Sequence, residues 1–118
     1  MKLVVQDGAG LSRRTLEKVL PLFPSAWRGL VQTVVVYATH QESLTFSYSR
    51  QAKALGVHWP SLDGEPPTRE QALTELGIML AVINKLGELP RKPSKSVRAA
   101  ALSEIQSNLS AWLAAADK

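Results

Sequence analysis

The sequence predicts a single α+β domain spanning residues 1–118: a small, mainly antiparallel sheet of three to four strands, packed against three helices, one N-terminal and two C-terminal. Three observations lead there. Segments with strand character lie before residue 60, and two long segments with helical periodicity follow them. Strands early and helices late favour a sheet backed by helices over a regular βα alternation. The chain has 118 residues, 45% of them hydrophobic, which suits one domain with one core.

Residues 2–6 (KLVVQ) read as a short strand that adds at a sheet edge or forms an extended arm. Asp7, Gly8, Ala9 and Gly10 are turn residues. Ser12 is placed to cap a helix, with Leu11 and Leu16 at the two positions of a hydrophobic staple. Leu16, Val19, Leu20 and Phe23 repeat at helical spacing until Pro21 and Pro24 limit the run. A connector with Trp27 follows. Residues 33–38 (TVVVYA) are β-branched and apolar on both faces, as in a central strand. After a turn at 40–43, Leu44, Phe46 and Tyr48 alternate with Thr45, Ser47 and Ser49, giving a strand with one wet face. These two strands are close enough in sequence to form a hairpin. Residues 54–59 (ALGVHW) are a further strand, with Leu55, Val57 and Trp59 on one face. A loop over 60–67 contains Asp63-Gly64 and a proline pair.

Thr68 and Gln71 fit a capping box that opens the central helix, and Gly87 with Pro90 closes it. Ala72, Leu73, Leu76, Met79, Leu80, Ile83 and Leu86 form its core stripe, and Ile78 and Val82 extend it to the opposite side. A helix apolar nearly all round is a buried one. Gly77 costs about 1 kcal/mol against alanine in mid-helix, which points to close approach of another backbone. Ser94 or Ser96 caps the last helix, whose stripe is Leu102, Ile105, Leu109, Trp112 and Leu113.

The chain contains no cysteine, no signal-like apolar stretch and no apolar run near the ~20 residues of a membrane helix. The expected setting is the reducing cytoplasm, with no membrane partner. No cofactor is implied.

Charge is unevenly placed. Lys85, Arg91, Lys92, Lys95 and Arg98 face only Glu88 between residues 85 and 98, so this segment alone accounts for the net +4 of the chain. Lys95 and Arg98 stand in a first helical turn, against the helix dipole. Such an entrance suits phosphate or an acidic partner, whereas an ordinary solvated basic loop would look the same. Arg13 and Arg14 oppose the dipole of the first helix in the same way. Gly8 and Gly10 before that helix outline a phosphate-binding turn. Arg13 occupies the place of the third glycine, and an ordinary glycine turn is the preferred reading. No aromatic residue lies within 85–98 to stack on a base. His40 falls in a turn and His58 alternates away from the core, and neither has a nucleophile or acid at a diagnostic spacing.

On the central helix, residues 73–80 (LTELGIML) resemble the active-site helix of the zincin metallopeptidases, of gluzincin type. The family motif is H-E-x-x-H, in which two histidines bind zinc and the glutamate acts as general base. Thr74 stands at the first histidine, Glu75 at the glutamate and Ile78 at the second histidine, while Leu76-Gly77 matches the frequent Leu-Gly pair. The order of helix, small sheet, metal helix and further helix is also similar over residues 12–116. The resemblance implies that the third ligand would come from the last helix, where Glu104 is the acid before the terminus. Thr74 is a poor zinc ligand and Ile78 none, so the resemblance implies a relative without metal or catalysis.

The leading expectation is therefore a non-catalytic binding or regulatory domain, whose partner is a protein or another anionic macromolecule held by Lys85, Arg91, Lys92, Lys95 and Arg98, with Arg13 and Arg14. One alternative is nucleic-acid binding through the same cations. Another is a hydrolytic enzyme using Glu75, with His58 or His40 brought near in space.

Overall fold

The computed structural model describes residues 2–6, 9–60 and 66–117. The elements, in chain order, are β1 (Lys2–Val5), α1 (Arg13–Val19), two 3-10 turns (Leu20–Leu22 and Ser25–Gly29), β2 (Thr33–Thr39), β3 (Thr45–Ser49), β4 (Ala54–Pro60), α2 (Arg69–Leu86) and α3 (Lys95–Ala116). The class is α+β, as the sequence suggests. Asp7 and Gly8 of the expected turn, and residues 61–65 of the expected loop, lie outside the described residues.

Strand pairing departs from the expectation. The order is β1-β2-β4-β3, and the sheet is mixed instead of mainly antiparallel. β1 runs parallel to β2 and β2 parallel to β4, while only β3 and β4 pair antiparallel. The expected hairpin of β2 with β3 is absent, because β4 lies between them. The residues explain this. β2, rich in β-branched residues, is an interior strand whose backbone pairs with β1 on one edge and β4 on the other. The exposed Thr45, Ser47 and Ser49 suit β3 to the sheet margin, where polar side chains are tolerated. β1, α1 and β2 form a parallel crossover that the supposed hairpin had argued against. β1 is an edge strand and not a loose arm.

One face of the sheet is dry. Val34, Val36, Leu55, Val57 and Trp59 point into the core with Leu16, Val19 and the long apolar side of α2. The opposite face stays open, with Lys2, Ser47 and Ser49 exposed and Val4 45% accessible. Helices thus cover one side only, in two layers.

α1 is capped by Ser12, whose hydroxyl accepts from the Thr15 N–H. It is only 7 residues long because Pro21 turns the chain into the 3-10 segment. α2 carries the full capping box between Thr68 and Gln71 and ends at Gly87 in the left-handed region, φ 74°. Residues Leu76 to Ile83 of α2 are all buried. Leu86, placed by periodicity in the core stripe, is instead 43% exposed at the end of α2, and Leu102 of α3 is 38% exposed. Ala101 and Ile105 take the core side of α3.

α3 returns antiparallel to α2. Arg69 at the start of α2 donates to the Asp117 carboxylate and to the Ala116 carbonyl (3.3 Å) at the end of α3. Trp112 locks the pair. Its ring is fully buried, 4.4 Å from Phe23 and 6.1 Å from Trp27 between centroids. A Cβ at Gly77 would sit 2.7 Å from Trp112 Cζ3. The close approach expected at Gly77 is therefore that of an indole, not of a backbone. No helix among the described residues is long and apolar enough to cross a membrane.

Candidate functional site

Glu75 and Arg98 are the first residues to bring together. They lie on different helices, and Arg98 Nη2 donates to Glu75 Oε1 at 2.6 Å. The pair is half-buried, with the side chains 37% and 33% exposed for Arg98 and Glu75. The sequence offered Glu75 as a general base and Arg98 as part of a basic patch. In the fold each neutralises the other.

The pair sits in the wall of a groove of about 380 Å³. The sheet side of the groove is Leu44, Thr45 and Phe46, and its helix side is Glu75 and Met79 of α2. The connection from α2 to α3 closes the end with Leu89 to Pro93, followed by Lys95 and Arg98. Gly87 makes this possible, because its left-handed turn folds the connection back over the end of α2. Arg91, Lys92 and Lys95 are exposed around the rim, while the floor is aliphatic and aromatic. β3 ends the strand order, so no described strand occupies its far edge.

Two shallow depressions adjoin the groove, one sharing Glu75 with it and the other Leu44. Thr68, Glu70, Gln71 and Thr74 line the first, and Glu42, Ser43, Leu44 and Pro66 to Thr68 line the second. Glu42 and Glu70 are exposed there, and neither carries an ion pair among the described residues.

Not every candidate gathers here. Lys85 is exposed on the last turn of α2 and is not among the groove-lining residues. Arg13 forms an exposed ion pair with Glu17 at 3.0 Å, and neither it nor Arg14 lines the groove. Gly10 is explained by packing, since a side chain there would collide with the Trp59 indole. Glu104 is exposed on α3, away from the groove lining.

The zinc that zincin metallopeptidases bind does not fit these residues. Thr74 turns its hydroxyl to its own helix, donating to the Glu70 carbonyl at 2.8 Å. Ile78 is buried in the core. Glu75 is held by a guanidinium. Among the described residues no three His, Cys, Asp or Glu side chains converge as a metal site. No catalytic step through a metal is derived for this site.

Sequence reasoning missed a second cluster, on the open face of the sheet. His58 Nε2 lies 2.8 Å from Ser47 Oγ and 3.0 Å from Tyr37 Oη. Its ring meets Tyr37 edge-on at 4.4 Å. The three residues come from β3, β4 and β2, and the order β2-β4-β3 brings them side by side. Gly56 leaves the room, because a Cβ there would stand 2.7 Å from Ser47 Oγ. Partial burial pushes the His58 pKa below its ordinary value of 6.5, favouring the neutral imidazole. Two hydroxyls approach the same Nε2, so Ser47 does not have that nitrogen to itself. His58 and Glu75 occupy opposite sides of the sheet and do not meet. The signal available in sequence was Gly56 within a strand, which marks close approach.

The groove and the hydroxyl cluster thus stand on this chain's own geometry: no protein-family model, curated protein or solved structure matches it.

Proposed function

We propose that the domain is a non-catalytic binding module that holds an acidic, extended segment of another protein between the β3 edge and the turn from α2 to α3. The observation that carries this is the convergence of Arg91, Lys92 and Lys95 on an apolar floor beside the β3 edge, on which no described strand pairs. Free strand edges accept extended peptides through main-chain hydrogen bonds, with flanking pockets taking the side chains. The cations supply attraction, and the apolar floor supplies burial. On a degenerate zincin-like scaffold the glutamate position would be Glu75, held by Arg98, and the two ligand positions would be Thr74 and Ile78, neither of which binds zinc well. Phe46, the aromatic residue in the groove, packs against the core and is not a free ring for base stacking. This favours protein over nucleic acid as the partner.

A fluorescent oligo-glutamate peptide tests the reading by anisotropy. Binding should weaken about tenfold or more in the triple variant Arg91→Glu, Lys92→Glu, Lys95→Glu. Arg13→Glu with Arg14→Glu should leave it unchanged. Unaltered affinity in the triple variant would refute the site. Tighter, steeply salt-dependent binding to a single-stranded oligonucleotide would move the assignment to nucleic acid.

A further inference from the structure

The groove and the two depressions that adjoin it differ in charge. Glu42 and Glu70 mark one end, and Arg91, Lys92 and Lys95 mark the other. Between them the Glu75–Arg98 pair is internally neutral. Both walls run the same way. Passing from Glu42 through Leu44 to Phe46, the sheet-side wall goes from the acidic end to the basic end. Passing from Glu70 through Glu75 to Met79, the helix-side wall does likewise. Of these sheet-side residues Thr45 and Phe46 belong to β3, so the charge gradient follows the chain through residues 42–46 into the start of that strand.

That coupling constrains a ligand in two ways. An extended segment adding to β3 runs either with it or against it. The antiparallel ladder is the more stable of the two per residue, and it is the arrangement β3 already makes with β4 on its other edge. A segment antiparallel to β3 enters over the basic end and leaves over the acidic end. Like charges brought together there disfavour the wrong register, while opposite charges favour the right one.

We infer that the groove takes an amphoteric extended peptide, acidic residues first and basic residues last, bound antiparallel to β3. The inference rests on the binding role proposed above and adds to it a direction and a second charge. Glu70 also complements the dipole of α2, whereas Glu42 has no such duty, so the acidic end is not explained by helix capping alone.

Two pools of fluorescent decapeptides of identical composition test it. In the first, acidic residues fill the N-terminal three positions and basic residues the C-terminal three; in the second, the order is reversed. With the full chain at low ionic strength, the first pool should bind about tenfold tighter or better. The double variant Glu42→Lys, Glu70→Lys, verified as folded by its melting curve, should lose that preference and favour an all-acidic pool instead. Equal binding of the two pools, both abolished by charge reversal at Arg91, Lys92 and Lys95, would overturn the directional inference and leave the basic site standing. Preference for the second pool would overturn the antiparallel orientation. Failure of both pools and of oligo-glutamate to bind would remove the inference and the proposed function together.

Discussion

Replacing Gly77 with alanine sets two effects of opposite sign against each other. The first is local. Alanine is favoured over glycine inside a helix by about 1 kcal/mol, and α2 would gain it. The second is steric. The new Cβ would lie 2.7 Å from Trp112 Cζ3 and 3.0 Å from Ile105 Cδ1, both closer than carbon contacts allow without movement. Trp112 has nowhere to retreat, because it is fully buried with the Phe23 and Trp27 rings behind it. Overpacking of that kind costs roughly 1–3 kcal/mol. The balance is a net loss of about 1 kcal/mol, which lowers Tm by about 5 °C in a domain of this size. Differential scanning calorimetry on the wild type and Gly77→Ala measures it. Repeating the substitution in a Trp112→Phe background should make it stabilising, with a coupling of about 2 kcal/mol between the sites. A rise in Tm for Gly77→Ala alone would refute the packing argument, since only the helix-propensity term would then be acting.

Two further outcomes follow from the same structure. Thr68→Ala removes the acceptor for the Gln71 N–H at the head of α2 and should cost about 1 kcal/mol, read as a lower urea midpoint with unchanged m-value; an unchanged midpoint would deny the cap any role. His58 binds its proton less readily in the folded chain than in the unfolded one, because burial disfavours the imidazolium. Stability should therefore be full above pH 6.5, decline as pH falls through the window from the unfolded value of 6.5 to the lower folded value, and then level off. His58→Gln should flatten that decline, and an NMR titration midpoint above 6.5 would contradict the sign.

The helices and the strand segments were legible because their signals are local. The capping pair Thr68 and Gln71, the terminator Gly87 and the apolar run of α2 each lie within one element. TVVVYA announced a central strand, and it became one. The partners of that strand were not legible, because adjacency in a sheet depends on which edges the helices leave free. The polar Thr45, Ser47 and Ser49 carried a hint, since they mark a margin strand, and a margin strand next to β2 would have left β4 unplaced. The site was legible in pieces. Arg91, Lys92 and Lys95 were named from charge density. The Glu75–Arg98 pair was not, because it depends on the packing phase of two helices that sequence periodicity fixes only to within a turn. Ser47, His58 and Tyr37 come from three strands and share no spacing at all.

The parallel centre of the sheet also governs how the chain reaches this structure. Lys2 must find Thr33, and Thr33 must find Ala54, before the β1-β2-β4 ladder can form. Only β3 and β4 are near neighbours in the chain, with Ser49 opposite Ala54. Long loops must be closed before those pairings return any energy, so the chain is a slower folder than a helical bundle of equal length. The helical signals of α2 and α3 are local and form within microseconds. Until β2 and β4 are joined, the apolar side of α2 has no sheet to cover. Sheet closure is the slow event, and the interval before it is when this protein exposes its most adhesive surface.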